Sequence, residues 1–276
     1  MNDRIAAVEA AFKAGHFEDG VALTEALLTD EPKSGAQLYR NFASLLFRRG
    51  RYEDSARWAK TGAEIYPRDS ELWNVLGVSL RRLGRPQEAL QALNAGIKAQ
   101  PKSEALWQNK GNVLNDLKDG PGAIAVFSRL VRQAPTNPEF QRSLGRAHGH
   151  AGELDKAEMR YRLAARLRPD LVDAWLDLSA LQAEAKTPEV AVATLDEAIA
   201  QNPAPRLKEA KALAIRRSNK LRQAEAYLLT VLEDLPDEAW AHHQLGAVIT
   251  DWDRPRANKH LRRAVDLAPD NLDYRM

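Results

Sequence analysis

The sequence predicts an all-α solenoid of about eight helix–turn–helix units, and two markers running in step predict it. Prolines placed to end a second helix fall at Pro32, Pro67, Pro101, Pro135, Pro169, Pro203, Pro236 and Pro269, spaced 33 to 35 residues apart. A small residue on that helix falls at Gly20, Ser55, Ala89, Ala123, Ala157, Ala191, Ala224 and Ala257, with the same spacings. A unit repeated at this period is the mark of stacked helical hairpins, each too small to bury its apolar face alone.

The unit is plainest between Trp73 and Pro101. Trp73, Leu76, Gly77 and Leu80 share one helix face through their three- and four-residue spacings. Gly84-Arg85-Pro86 turns the chain, and Pro86 sits where a helix opens and its missing N–H costs nothing. Ala89, Leu93 and Gly96 face back from a second helix that Pro101 ends. Gly77, Ala89 and Gly96 leave room for close helix approach.

In order, the units cover residues 1–35, 36–69, 70–103, 104–137, 138–171, 172–204, 205–237 and 238–270, read as a single solenoid. The first, split at Gly15-His16, lacks the aromatic and the Leu-Gly pair, as terminal units often do. The second has Tyr39, Phe42 and Ala43 in register and carries its extra residue in loop 31–35, where insertion is cheap. Units three to six turn at Gly84, Asp119-Gly120, Gly152 and Lys186-Thr187. The seventh is degenerate, with Lys208 for the aromatic and Lys211-Ala212 for Leu-Gly. The eighth has lost one residue in turn 251–255: Gly246 to Ala257 is 11 positions, against 12 from Gly77 to Ala89. Residues 271–276 read as the start of a further helix, so we expect this chain to be part of a longer protein.

The run Trp73-x-x-Leu76-Gly77-x-x-Leu80, then Ala89, Leu93, Gly96 and Pro101, resembles the tetratricopeptide repeat. Trp107/Gly111/Ala123/Phe127/Pro135 and Leu144/Gly145/Ala157/Tyr161/Pro169 follow the same pattern, and Trp175/Leu178/Ala191/Leu195/Ala198/Pro203 is near it. The resemblance covers residues 1 to about 270. It implies a right-handed superhelix whose first helices line a concave groove holding an extended peptide or a partner's helix. It also implies a context, since long arrays of this kind deliver protein substrates to enzyme domains such as O-GlcNAc-transferase-like or flagellin-modifying glycosyltransferases.

Composition narrows the function classes. Lys and Arg number 40 against 38 Asp and Glu, and a net charge of +2 lacks the concentrated basic footprint of a nucleic-acid binder. With no cysteine, disulfides, thiolate metal sites and cysteine nucleophiles are excluded. No apolar run reaches the length of a membrane span, and the start of the chain leads into an amphipathic helix rather than an apolar signal core. We therefore expect a cytoplasmic protein with no membrane association. No glycine-rich phosphate loop occurs, and neither catalysis nor a cofactor is expected. His148 and His150 do not share a helix face. His242, His243 and His260 can approach one another but lack the carboxylate or thiol pattern of a metal site. Most of the six tryptophans sit at packing positions, leaving Trp58 and Trp252 as exposed contacts.

Groove positions are the first-helix residues one, two, five and eight after the aromatic. They are Arg40, Asn41, Ser44 and Phe47 in unit two, Asn74, Val78 and Arg81 in three, and Gln108, Asn109, Asn112 and Asn115 in four. Unit five gives Arg142, Ser143, Arg146 and Gly149, and unit six Leu176, Asp177, Ala180 and Ala183. Amides both donate and accept, so they suit an extended peptide backbone, and guanidiniums capture carboxylates. Asn is a poor helix former, so Asn109, Asn112 and Asn115 on one helix need a reason. Peptide capture is one reason, and capping or bonding between units is another. The candidate peptide-binding set is Arg40, Asn41, Asn74, Arg81, Gln108, Asn109, Asn112, Arg142, Arg146 and Asp177.

The reading is a protein-interaction module that recognises a substrate segment for a larger protein. A free-standing adaptor or assembly factor is the alternative, and RNA reading by helical repeats is the competing class. An uncapped C-terminal end is a place where copies could associate.

Overall fold

The computed structural model describes residues 2–274. Among them are sixteen α-helices and one 3-10 turn, with no strand. The helices form eight hairpins, divided between two compact units at residues 1–133 and 134–276. In the first unit α1 (Asn2–Lys13) pairs with α2 (Phe17–Asp30), α3 (Ala36–Arg48) with α4 (Tyr52–Ile65), α5 (Ser70–Arg82) with α6 (Pro86–Ala99), and α7 (Glu104–Asp116) with α8 (Gly120–Gln133). In the second, α9 (Pro138–His150) pairs with α10 (Leu154–Leu167), α11 (Val172–Ala185) with α12 (Pro188–Gln201), α13 (Pro205–Arg217) with α14 (Leu221–Asp234), and α15 (Ala239–Ile249) with α16 (Arg254–Leu267). Leu272–Tyr274 form the 3-10 turn where the sequence predicts a further helix, and residues 275 and 276 of that helix lie outside the described residues.

Most hairpins turn on a residue with positive φ. Gly15, Gly50, Gly84 and Gly152 serve at φ 69° to 80°. Where glycine is missing, Lys118 (φ 57°) and Asn219 (φ 58°) take the left-handed conformation instead. The fourth hairpin therefore turns at Lys118, one period after Gly84, while Gly120 already opens α8. Three first helices carry side-chain caps. Asp69 accepts from the backbone N–H groups of Glu71 and Leu72, Ser103 from that of Leu106, and Asn137 from those of Glu139 and Phe140.

Packing within a hairpin rests on a glycine of the first helix receiving a large side chain of the second. A Cβ added at Gly77 would lie 2.6 Å from Leu93 Cγ, at Gly111 2.6 Å from the Phe127 ring, at Gly145 2.8 Å from the Tyr161 ring, and at Gly246 2.6 Å from Leu261 Cγ. Successive hairpins use the same device from the other side: a Cβ at Gly96 would lie 2.8 Å from Leu106 and 3.0 Å from Trp73 Cβ.

A hydrogen bond fixes the entry into most first helices. The residue six positions after the helix-ending proline donates to that proline's carbonyl. Trp73 Nε1 donates to Pro67 O (3.0 Å), Trp107 Nε1 to Pro101 O (2.9 Å), Gln141 Nε2 to Pro135 O (2.6 Å) and Trp175 Nε1 to Pro169 O (3.1 Å). His242 Nε2 lies 3.0 Å from Pro236 O, and Tyr39 Oη donates to Pro32 O at 3.1 Å from one residue further on. The aromatic position of the repeat is thus a donor position, which is why Gln141 and His242 can occupy it. Trp58, expected as an exposed contact, is instead 7% exposed and donates to Glu25 at 2.9 Å. Trp252 is half-buried, with the Arg222 guanidinium carbon 4.2 Å from its ring centroid.

The second unit contains a polar knot that runs from buried Gln182 and Thr194 out to exposed Lys186. Gln182, 1% exposed, donates to Glu158 at 2.9 Å and accepts from Thr194 Oγ1 at 2.7 Å. Lys186 Nζ lies 2.7 Å and Arg162 3.4 Å from the same Glu158 carboxylate. Burial pushes this carboxyl up, but its bonds to Lys186, Gln182 and Arg162 outweigh burial and hold it below the ordinary glutamate value of 4.5.

The tight glycine contact and the polar knot can each be tested by substitution. Gly111→Ala gains roughly 1 kcal/mol of helix propensity but loses about 1–3 kcal/mol to overpacking, because Phe127 is 0% exposed and cannot swing away. Denaturant unfolding should show a net loss of about 1 kcal/mol. Glu158 contributes stability that is full above its unfolded pKa and lost as pH falls through its lower folded pKa. Thermal melts of Glu158→Gln should therefore lie below wild type near neutrality, with the gap closing under acid conditions.

Candidate functional site

The predicted groove residues lie on first helices, and the structure spends most of them on bonds within or between hairpins. Arg40 on α3 pairs with Asp69 and Glu71, at 3.2 Å each, at the N-terminus of α5, and it also donates to Gln37. Asn41 is exposed and accepts from Gln37 Nε2 at 2.7 Å. Asn109 Nδ2 on α7 donates to Asn74 Oδ1 on α5 at 2.7 Å. Arg81 on α5 makes a two-pronged ion pair with Asp116 on α7. Gln108 and Asn112 are half-buried on α7, and Arg146 is half-buried on α9.

In the second unit the links alternate in charge. Arg142 on α9 donates to Asp177 on α11 at 2.6 Å and lies 3.3 Å from Asp173, which in turn lies 2.9 Å from Arg206 on α13. Burial lowers the Arg142 pKa, but its bond to Asp177 and the charges of Asp177, Asp173 and Glu139 outweigh that and hold it above the ordinary arginine value. So the structure brings together Asn74 with Asn109 and Arg142 with Asp177. It does not gather the ten into one constellation. Bonds spanning 35 residues join a position to the one just after its equivalent in the next hairpin, as in Asn74–Asn109, Arg81–Asp116 and Arg142–Asp177.

Apolar clefts open on the first helices. In the first unit a groove of about 630 Å³ runs between α1 and α3, with α2 at its floor. Ile5, Val8 and Phe12 form one wall, and Leu38, Phe42 and Leu45 the other. Gln37 and Asn41 give it amides, and Arg48 and Arg49 lie beside it, with the Arg49 guanidinium carbon 4.3 Å from the Phe17 ring centroid. Of the ten predicted residues, Asn41 is the one that lines it. The second unit has a smaller cleft of about 220 Å³ between α11 and α13, where Leu176, Ala180 and Ala183 meet Ala210, Leu213 and Arg217. The sequence places Leu176, Ala180 and Ala183 at groove register. The α1–α3 groove could have been found from Ile5, Phe12, Leu38 and Leu45 as large apolar residues in excess of the core pattern.

Four of the six histidines make notable contacts, one of them buried and three near the C-terminal end. His148 is 7% exposed, with Nδ1 2.5 Å from a Glu153 carboxylate oxygen. His242 and His260 meet Nδ1 to Nδ1 at 2.8 Å with rings stacked, while His243 lies against the Tyr274 ring. Among the described residues no group of three or more His, Asp or Glu could hold a metal ion, and no helix is long and apolar enough to cross a membrane.

Stacked hairpins with paired linking bonds and apolar clefts on the first helices define the chain as a helical-repeat solenoid. Residues 5–70 and 74–138 match the family model described as tetratricopeptide repeat. The fold is that seen in tetratricopeptide-repeat proteins, and residues 5–70 and 74–138 carry that family's sequence pattern. MamA, residue 41 to the end, from Desulfovibrio magneticus RS-1 is 25% identical, with a TM-score of 0.56 over 62% of this chain and 96% of that one. A tetratricopeptide-repeat protein from Parabacteroides merdae is 17% identical, with a TM-score of 0.61 over 87% of this chain and 96% of that one. YrrB, described as a tetratricopeptide-repeat protein with an unusual peptide-binding site, is 23% identical, with a TM-score of 0.53 over 67% and 94%. Compared with curated proteins, the chain has no match.

The Asn74–Asn109 bond can be isolated by a double-mutant cycle in denaturant unfolding. Each Asn→Ala should cost about 0.5–1 kcal/mol, with a coupling energy of about 0.5 kcal/mol, as for a half-exposed neutral hydrogen bond. A coupling of zero would mean that the two amides do not depend on each other in solution.

Proposed function

We propose that this chain is a protein-interaction module that holds a segment of a partner polypeptide in the α1–α3 groove. The observation that carries the reading is the open apolar groove itself. Its walls of Ile5, Val8, Phe12, Leu38 and Leu45 gain by burying apolar side chains. Gln37 and Asn41 offer donors and acceptors to a main chain lying beside them, and Arg48 offers a carboxylate site at the rim. The best ligand is therefore a segment with apolar side chains and an acidic group or free C-terminus towards Arg48. The peptide-binding description of YrrB is consistent with this use of the fold.

On the same reading the polar residues that the sequence offers for binding act mainly through the bridges they make, with Asn41 the member that touches ligand. We extend the reading to a chain that works without catalysis of its own, without nucleic acid, in the cytoplasm, and as one continuous array. The further expectation, that it delivers substrates to a glycosyltransferase, rests on the family resemblance alone.

The test is selection of short random peptides on the wild-type chain, followed by fluorescence anisotropy on Leu38→Glu/Leu45→Glu. Both leucines are half-buried at the groove, so circular dichroism checks the fold of the variant. Selected peptides should bind the variant at least about tenfold more weakly. Equal binding to both would place the ligand elsewhere.

A further inference from the structure

Two hairpins clasp their helices together through the same pair of positions, with different chemistry. In the fifth, Gln141 lies six positions after Pro135 and Arg160 three after the small residue Ala157. In the eighth, His242 lies six after Pro236 and His260 three after Ala257. Gln141 Nε2 donates to Pro135 O at 2.6 Å while its Oε1 accepts from Arg160 at 3.0 Å, so one amide ties the entry loop, the first helix and the second helix together. His242 does the same two jobs. Its Nε2 lies 3.0 Å from Pro236 O, and its Nδ1 lies 2.8 Å from Nδ1 of His260 with the rings stacked. The fifth-hairpin clasp joins an amide, which does not titrate, to a guanidinium that stays charged. The eighth is built from two imidazoles, the side chains that titrate nearest neutrality.

The proton count follows from the partners. A carbonyl only accepts, so His242 Nε2 carries a hydrogen and Nδ1 of the neutral ring is a lone pair. His260 Nδ1 then supplies the hydrogen between the rings. One added proton still leaves a single hydrogen in that position, whichever ring holds it. A second puts a hydrogen on both Nδ1 atoms, so the bond is lost and two cations are in contact. The surroundings do not offset this. Burial first, then the charges of His242, Arg256 and Lys259, hold His260 below the ordinary histidine value of 6.5. Asp237, Lys259, Arg262, Arg263 and Asp266 share the cleft beside the rings. Asp237 is taken by Arg263 at 2.6 Å, and Arg256 by Glu225 on α14 at 2.8 Å. Exposed Lys259 and Arg262 remain, against Asp266. The stability that His260 contributes is therefore full above 6.5 and lost as pH falls through its lower folded value.

We propose that His242 and His260 form an acid-released clasp, which ties α15 to α16 near neutrality and lets the eighth hairpin loosen when both rings are charged. The device is local, because the clasp at the same positions of the fifth hairpin holds no imidazole. His243, next along α15, turns to the Tyr274 ring and takes no part in it. The clasp is separate from the α1–α3 groove and does not depend on it.

The test is hydrogen exchange of the whole chain at about pH 7.5 and about pH 5, corrected for intrinsic exchange and read in α15 and α16. A local reading is needed because the Glu158 knot also weakens in acid. The comparison is His242→Gln/His260→Arg, which installs the fifth hairpin's pair at the same positions. On acidification the wild type should lose at least about tenfold more protection in α15 and α16 than this variant. His242→Gln alone keeps the donor to Pro236 O and removes one titrating ring, so it should also lose less than wild type, and it stands in if the double variant does not fold. Nitrogen NMR of the imidazoles near neutrality should show His242 protonated at Nε2 and His260 at Nδ1. Equal loss in wild type and variants, no acid loss in the wild type, or both rings protonated at Nε2 alone near neutrality would each overturn the proposal.

Discussion

The structure depends on how closely the two helices of a hairpin approach. Gly77, Gly111, Gly145 and Gly246 leave no room for even a Cβ beneath Leu93, Phe127, Tyr161 and Leu261. Interiors packed to crystal-like density tolerate no such atom without displacement. A helix interior is otherwise a costly place for glycine. Its repeated use here shows that the close approach stabilises the hairpin by more than the lost propensity costs. Once the pair is set at that distance, the small residues Ala89, Ala123, Ala157 and Ala257 are buried at 0% exposure, and the next hairpin stacks on what remains.

Stacking of similar units leaves polar groups at every junction, and the chain answers them locally. Most helix-ending prolines leave a carbonyl that a residue about six positions on satisfies, and an indole N–H is one of several donors that suffice. Polar side chains offset by one position from their repeat equivalents then meet between neighbouring hairpins. The ion pairs and amide bonds of the first helices arise from this translation. Apolar side chains are left open in the α1–α3 groove and the α11–α13 cleft on the first-helix side. Function on a solenoid of this kind is read from where apolar side chains exceed the needs of the repeat.

The fold was legible because period, small residue and proline are local consequences of hairpin geometry, visible without any knowledge of contacts. The turn at Lys118 was less so. A glycine two residues on invites the wrong assignment, and only strict counting from Gly84 places the left-handed residue. The first-helix register of the groove positions was legible, and the bonds those side chains make were not. For Asn109 peptide capture and bonding between units stayed open, because sequence does not show that Asn74 and Asp177, 35 positions away, meet Asn109 and Arg142. Ile5 and Leu45 carry no site signal in the sequence, because an apolar residue on a helix is most often core. Trp58 shows the converse, a tryptophan outside the repeat pattern that is buried because Glu25 takes its N–H.

Hydrogen exchange with and without a selected peptide tests the central claim most directly, which is that the apolar groove and not the polar bridges receives the partner. Protection should concentrate in α1 and α3, with α5, α7 and α9 exchanging as in the free chain. Protection centred on Asn74, Asn109 and Arg142, with α1 unchanged, would contradict the account.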